Sequence, residues 1–173
     1  SNRVTNVTVD GQLSDWASLV AFAPDPADMS STDPLDWLTA GMAHNSSTLY
    51  LHYTTKNPIN TDKWWAYQVY LDTDNNGTSG YRKGAIGAEY MLEGKEVWRY
   101  SGDGSNWQWT HQGSATAATR HATAEYSFPR QWLGNPAQLL LLLRGNNATF
   151  GGESEDVYPN TTATPRYLEY RVE

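Results

Sequence analysis

The sequence contains no cysteine, which excludes disulfide frameworks, thiolate-bound metals and cysteine nucleophiles. It has no excess of basic residues either, since its net charge is −7 and its pI is near 5.0. Nucleic acid is therefore not an expected partner, because phosphate binding depends on a basic surface. The longest apolar run, residues 139–143, is far shorter than the roughly 20 residues that span a bilayer, and no signal peptide is recognisable. No membrane insertion is expected.

The composition favours an all-β protein. Helical periodicity is scarce, aromatic and β-branched residues are frequent, and Gly and Pro interrupt the chain at short intervals, as in β-sandwiches and barrels. A length of 173 residues fits one domain, residues 1–173, that buries about 70% of its unfolded surface. The many Trp, Tyr, Thr and Asn residues, with only 18% charged residues, are typical of a secreted, extracellular protein.

Several segments have clear individual signals. Residues 38–43 and 49–53 alternate in polarity on either side of a short polar turn, which predicts a hairpin. Residues 139–143 are apolar at every position, which predicts a central strand covered on both sides. Residues 24–34 contain three prolines and three aspartates and form the longest irregular stretch of the first third of the chain. Loops of this kind often line sites.

Residues 64–94 contain the strongest functional pattern, namely two strands of alternating polarity joined by a polar loop. The alternation places Trp65 in the core and Trp64 on the opposite face. If the two strands pair, they share an exposed face with aromatic, amide and carboxylate groups. Such a face suits a sugar, whose ring has apolar sides and a hydroxyl edge. The predicted members of this face are Trp64, Gln68, Tyr70 and Glu89.

Tryptophan is also more abundant than one sandwich core requires, with eight residues in the chain. Exposed aromatic side chains are therefore expected, and an exposed aromatic patch indicates a binding surface. Trp107 and Trp109 alternate on one predicted strand and so share a face, either toward a ligand or toward the core. Gln68, Glu89 and Arg82 are the predicted hydrogen-bonding partners of a bound saccharide.

The loop Asp72-x-Asp74-x-Asn76-Gly77 resembles the first half of a calcium-binding loop, in which side-chain oxygens at alternate positions converge on the ion. The pattern then stops, because the twelfth position is Lys83 and strands replace the flanking helices of an EF-hand. The loop is either a Ca²⁺ site formed by Asp72, Asp74 and Asn76 or a hairpin turn without metal.

Three other functions are compatible with the sequence. An enzyme acting on glycans would need paired carboxylates, for which Glu89 with Glu93 or with Asp156 are candidates. A haem-binding domain would need axial ligands, and the candidates are Met42, Met91, His44 and His111. A structural or adhesion module would need no sugar site.

The order of several motifs resembles carbohydrate-binding module family 9 and the wider group of DOMON-like sandwiches. The resemblance covers nearly the whole chain, and its specificity comes from the order of motifs that are short individually. The motifs are Val9-Asp10-Gly11 with Asp15-Trp16, Leu49-Tyr50-Leu51, Trp64 followed by Val69-Tyr70-Leu71-Asp72 and the loop to Gly80-Tyr81, Ala124 to Pro129 with Leu133-Gly134, and Asp156-x-x-Pro159.

This resemblance implies a two-sheet antiparallel β-sandwich, a jelly-roll type of fold, with structural calcium. It also implies a non-catalytic module that binds a polysaccharide or oligosaccharide beside an attached catalytic domain. Members of the family hold a sugar between two tryptophans, and Trp64 or Trp65 is similar in position to the first of them. No tryptophan follows Trp132 here, so Tyr158 is the candidate for the second aromatic.

Overall fold

The alternating segments form two antiparallel sheets in the computed structural model, which describes residues 1–172. Glu173, the last residue of the predicted domain, lies outside the described residues. The smaller sheet has the strand order β1-β2-β10-β9. Its strands are β1 (Trp37–His44), β2 (Thr48–Thr55), β9 (Thr116–Arg120) and β10 (Thr123–Pro129). The predicted hairpin of residues 38–43 and 49–53 is confirmed as β1 and β2.

The larger sheet has the order β12-β11-β3-β6-β7-β8, and β13 also pairs with β11. Its strands are β3 (Tyr67–Asp72), β6 (Tyr90–Glu93), β7 (Glu96–Tyr100), β8 (Trp109–Ser114), β11 (Gln138–Asn146), β12 (Glu155–Tyr158) and β13 (Leu168–Arg171). A separate hairpin consists of β4 (Tyr81–Lys83) and β5 (Ile86–Ala88). Four short 3-10 helices are Ser14–Trp16, Thr61–Ala66, Arg130–Leu133 and Asn147–Phe150.

The main core lies between the two sheets, and a second apolar cluster lies on the outer face of the larger sheet. Along β11, Leu139, Leu141 and Leu143 belong to the main core, whereas Leu140 and Leu142 belong to the outer cluster. Ile86 of the β4–β5 hairpin covers that outer cluster. The all-apolar run is therefore a central strand covered on both sides, as predicted. The structure confirms the all-β, two-sheet sandwich.

The paired tryptophans before β3 are oriented opposite to the prediction. They belong to the 3-10 helix Thr61–Ala66, which Asn60 caps by accepting a hydrogen bond from the Asp62 amide. Trp64 packs against the main core, and its indole donates to the Tyr126 hydroxyl at 3.0 Å. Trp65 is 53% exposed. The period of two applies only from Tyr67 onward, so the inward position of Trp65 and the outward position of Trp64 were wrong.

The second predicted strand of residues 85–93 is interrupted at Glu89. Ile86 and Ala88 belong to the outer cluster, whereas Leu92 belongs to the main core. The predicted shared face is therefore wrong as well, because Gln68 and Tyr70 are buried, at 4% and 1% exposure. Among residues 1–172, no helix is long and apolar enough to cross a membrane.

Candidate functional site

Strand pairing places a row of polar side chains across the outer face of the larger sheet. Gln68 of β3 lies opposite Glu93 of β6, and Glu93 lies opposite Glu96 of β7. The Gln68 amide donates to Glu93 Oε2 at 2.8 Å, while its own carbonyl oxygen accepts from Tyr70 and Arg144. Each of these groups is oriented by its neighbour, so the row presents a carboxylate in a fixed position.

An aromatic pocket lies directly beside this row. Pairing places Trp98 of β7 opposite Met91 of β6, and Tyr100 opposite Trp109 of β8. Together with Trp107, which precedes β8, these strands enclose an open pocket of about 320 Å³. Its lining residues are Met91, Glu93, Trp98, Trp107 and Trp109. Three indoles and one carboxylate therefore face the same space.

Trp107 is the most exposed of the pocket residues, at 53% exposure. Its ring lies 5.4 Å from that of Trp109 at an angle of 68°, and 5.3 Å from that of Tyr81 at 85°. These edge-to-face contacts hold the indole while leaving part of its surface open to solvent. An exposed aromatic surface bordering a pocket is suited to stacking on an apolar ring face.

The turn before Trp107 is fixed by its own hydrogen bonds. Asn106 Oδ1 accepts from the Asp103 amide at 2.9 Å and from the Tyr100 hydroxyl at 2.7 Å. The Tyr100 hydroxyl accepts from the Gly104 amide at 2.8 Å. Gly104 has a φ of 109°, which side chains other than that of glycine rarely tolerate. The Ser-Gly-Asp-Gly sequence therefore anchors the segment that presents Trp107.

Glu93 is the charged group of the pocket. Burial raises the pKa of Glu93, and this effect is opposed by the Gln68 amide and by Arg144. Its carboxylate can accept hydrogen bonds from the hydroxyls of a ligand. Within residues 1–172, the indole nitrogens of Trp98 and Trp109 have no acceptor, but both atoms are closed to solvent, so these two side chains offer the pocket their ring surfaces.

The structure brings only some of the predicted ligand-binding residues to this pocket. Trp107 and Trp109 line it. Gln68 and Tyr70 lie beneath it, where they orient Glu93 instead of facing solvent. Trp64 is in the main core.

Arg82 and Tyr158 are not among the pocket residues. Arg82 is exposed, and its guanidinium lies against Gly104. Tyr158, the candidate second stacking aromatic, is 1% exposed and donates to the Ala23 carbonyl. It therefore has no surface on which a sugar can stack.

Trp98 and Glu93 line the pocket, but neither was among the predicted ligand-binding residues. Trp98 lies on β7 (Glu96–Tyr100), a strand to which no face was assigned from the sequence. Its alternation of Glu96, Trp98 and Tyr100 against the buried Val97 is the signal that was available.

The residues of the alternative functions are distributed over several parts of the structure. Glu89 and Asp156 belong to two different carboxylate clusters. Met42 is buried in the main core and His44 is likewise buried. In the strand register, Trp98 lies between Met91 and His111. Met91 lines the aromatic pocket, whereas His111 is not among its lining residues and its Nε2 lies 2.7 Å from Glu96 Oε2.

The predicted calcium loop contains a carboxylate cluster of different membership. Carboxylate oxygens of Asp72, Asp74 and Glu89 lie within 4.8 Å of one another. Asn76 Oδ1 instead accepts from the amide and hydroxyl of Thr78. Glu89 was predicted as a sugar contact, but its carboxylate accepts from Thr73 and Ser79 in this loop.

The donor set of this loop fits a hard cation, although the loop also supplies its own hydrogen-bond donors. Asp72 Oδ1 accepts from the Asn75 amide at 2.8 Å, and Asp74 Oδ2 accepts from the Ser79 hydroxyl at 2.7 Å. Burial raises the pKa of Asp72 and of Glu89, whereas the hydrogen bonds that each carboxylate accepts from the loop act to lower it. Hydrogen bonds from the turn thus already stabilise part of the negative charge of these carboxylates.

The protein has a two-sheet β-sandwich fold. Comparison with solved structures finds a carbohydrate-binding module of family 9 from Caldicellulosiruptor kristjanssonii, in complex with glucose, with a TM-score of 0.53. The match covers 99% of this chain and 96% of that one at 9% sequence identity, so it shows the fold. Comparison with protein-family models and with curated proteins gives no match.

Proposed function

We propose that this protein is a non-catalytic carbohydrate-binding module that binds a sugar in the pocket formed by Trp98, Trp107 and Trp109. The observation that carries the proposal is the half-exposed Trp107 beside the oriented Glu93 carboxylate. The fold shared with a glucose-bound module supports it. An indole covers one apolar face of a pyranose, while the Glu93 carboxylate accepts hydrogen bonds from its hydroxyls.

The pocket is open and shallow, so the expected affinity is in the micromolar to millimolar range, about 4 to 8 kcal/mol. Truncating Trp107 to alanine removes the stacking surface, which contributes about 1.5 to 3 kcal/mol when an aromatic side chain is covered. Binding by Trp107→Ala is therefore expected to be at least about 10-fold weaker.

The experiment is affinity gel electrophoresis across a panel of soluble polysaccharides, followed by calorimetry with oligosaccharides of the glycan that binds. Trp65→Ala is the matched control, since Trp65 and Trp107 are equally exposed at 53%. Trp107→Ala should abolish retardation and Trp65→Ala should retain it. If Trp65→Ala abolishes retardation and Trp107→Ala retains it, the sugar does not bind in this pocket. If the wild type is not retarded by any glycan, the structural-module alternative replaces the proposal.

The cellular context is part of the same proposal. A module with a weak, open site increases the local concentration of an attached catalytic domain on its polysaccharide. We therefore propose a secreted protein in which this domain accompanies a polysaccharide-active enzyme. Mass determination of the native protein recovered from culture supernatant tests both statements. Recovery only from cell lysate, at the mass of this chain alone, would contradict them.

Calcium at the loop of Asp72 is proposed as a structural ion, with Asp72, Asp74 and Glu89 as ligands in place of the predicted set with Asn76. Because these carboxylates already accept hydrogen bonds from the loop, weak binding is expected. In a Ca²⁺ titration of the chelator-treated protein, the wild type should bind Ca²⁺ at this loop and Asp74→Asn should not. If both proteins bind the same amount of Ca²⁺, the assignment is wrong.

A further inference from the structure

A second carboxylate cluster lies away from the aromatic pocket, in a part of the chain to which the sequence analysis assigned no ligand. It joins the loop of residues 24–34 to the ends of two strands. Asp25 and Asp28 come from the loop, Asp36 immediately precedes β1, and Asp156 belongs to β12. One carboxylate oxygen from each residue lies within 4.8 Å of those from the others.

The cluster is largely removed from water. Asp25, Asp36 and Asp156 are 5%, 1% and 2% exposed, and only Asp28 is exposed. Among the described residues, no lysine or arginine forms a salt bridge with any of the four. Buried carboxylates at this spacing repel one another unless they are protonated or bound to a cation.

Two oxygens of the cluster also lack hydrogen-bond partners. Over the range 1–172, no donor reaches Asp25 Oδ2 or Asp36 Oδ1, and both atoms are buried. By contrast, Asp156 Oδ2 accepts from the Trp37 amide at 2.7 Å. Unpartnered buried oxygens are rare in folded proteins and indicate an absent ion or donor. This feature is independent of the charge count, and the Asp72 loop does not share it.

We propose that Asp25, Asp28, Asp36 and Asp156 bind one divalent cation of the calcium type. Oxygens that share a Ca²⁺ ion at about 2.3 to 2.6 Å can be no more than about 5 Å apart, which agrees with the spacing here. Mg²⁺ retains several waters and would find little room among three buried side chains. Zn²⁺ prefers nitrogen and sulfur ligands, which this cluster lacks.

The ion would hold the loop of residues 24–34 against both sheets. Asp36 leads into β1 of the smaller sheet, while Asp156 lies on β12 at the edge of the larger one. The second half of the loop is already anchored, because Asp33 accepts from the amides of Glu153 and Ser154 and from the Ser154 hydroxyl. In the first half, the Asp25 amide donates to the Leu38 carbonyl, and the Met29 amide makes a long contact of 3.4 Å with Asp36. A bound cation therefore acts as a structural crosslink between loop and sheets.

The test is calorimetric titration of the full chain with CaCl₂ after removal of bound metal with a chelator. Asp28→Asn is the informative variant, because Asp28 is exposed and its replacement leaves the buried packing intact. We expect its Ca²⁺ affinity at this site to fall at least 10-fold. Asp62→Asn removes the charge of an exposed aspartate that belongs to neither carboxylate cluster, so it is the matched control and should retain the wild-type affinity.

A second measurement uses only the wild-type protein, so it does not depend on whether a variant folds. Limited proteolysis of the wild type should show cleavage within residues 24–34 that is faster with chelator than with CaCl₂ and is unaffected by MgCl₂. Equal affinity in wild type and Asp28→Asn, or protection by Mg²⁺ equal to that by Ca²⁺, would overturn the proposal. Because neither measurement uses a glycan, failure here is distinguishable from failure of the sugar-binding proposal.

Discussion

The indole of Trp98 offers a sharp test of the binding pocket, because the protein itself does not use its N–H group. The described chain provides no acceptor for this buried donor. Trp98→Phe retains most of the aromatic surface and removes the donor. Because the Trp98 ring lines the pocket, the smaller phenyl ring would contact less of a bound sugar, which costs about 0.5 to 1.5 kcal/mol and corresponds to roughly 2- to 10-fold weaker binding.

Stability should respond in the opposite way. A buried donor without a partner costs free energy in the ligand-free protein, so Trp98→Phe should unfold at the same urea concentration as the wild type or a higher one. Trp64→Phe is the control, because the Trp64 indole donates to the Tyr126 hydroxyl in the core at 3.0 Å. Its loss should reduce the free energy of unfolding by about 1 kcal/mol without changing glycan affinity.

The assay combines calorimetry with the glycan identified by electrophoresis and urea unfolding of the same three proteins. We predict that Trp98→Phe weakens glycan binding without destabilising the protein, whereas Trp64→Phe lowers the free energy of unfolding without changing glycan affinity. The prediction is refuted if Trp98→Phe binds as tightly as the wild type, or if it loses as much stability as Trp64→Phe.

Two further predictions concern stability. Burial lowers the pKa of His52 to about 4 from an unfolded value near 6.5, so the unfolded state binds the proton first and stability falls by about 3 kcal/mol as the pH drops from 6.5 to 4. The free energy of unfolding, measured with urea, should fall with pH across this range in the wild type but not in His52→Gln. The variant distinguishes His52 from Glu125, which lies opposite it in β10 and whose pKa is raised by burial. Gly87→Ala should destabilise the protein by about 2 kcal/mol or more, because a Cβ there would overlap the Ser79 carbonyl oxygen, whereas Gly77→Ala, with its nearest contact at 3.2 Å, should cost much less. Equal unfolding midpoints for the two alanine variants would contradict this.

The fold was predictable because its strands have strong local signals. The leucine run of β11 and the alternating hairpin of β1 and β2 each determine which side chains are buried, independently of the rest of the chain. The helical segments of the described chain are short 3-10 helices of three to six residues. They leave the period of two intact over most of the sequence.

The orientation of Trp64 and Trp65 was not predictable from the same rule. The alternation of β3 was extended three residues too far toward the N-terminus, into the 3-10 helix Thr61–Ala66. Asn60 was available as a capping signal, since asparagine favours helix starts. A single short helical turn is nevertheless difficult to distinguish from a strand when both contain aromatic residues.

The candidate site was predictable only in part because it depends on pairing between distant segments. Trp107 and Trp109 were recognisable from their own strand, whereas Trp98 and Glu93 reach the same pocket through the register of β6, β7 and β8. The cluster of Asp25 and Asp156 likewise joins residues far apart in sequence. The alternation of polarity within one strand does not indicate which residues of distant segments come into contact in the fold.

The outer face of the larger sheet is divided between a sealed half and an open half, and Tyr81 lies at their boundary. Its ring stacks on Tyr70 at 5.8 Å, beneath the β4–β5 hairpin, and contacts Trp107 and Trp109 at 5.3 and 5.6 Å. The hairpin that closes one half therefore supports the aromatic wall of the other. The loop of Asp72 leads directly into this hairpin. The polar loop and the aromatic pocket, which looked like two separate features in the sequence, are thus parts of one packed unit in which the loop positions the hairpin and the hairpin positions the indoles.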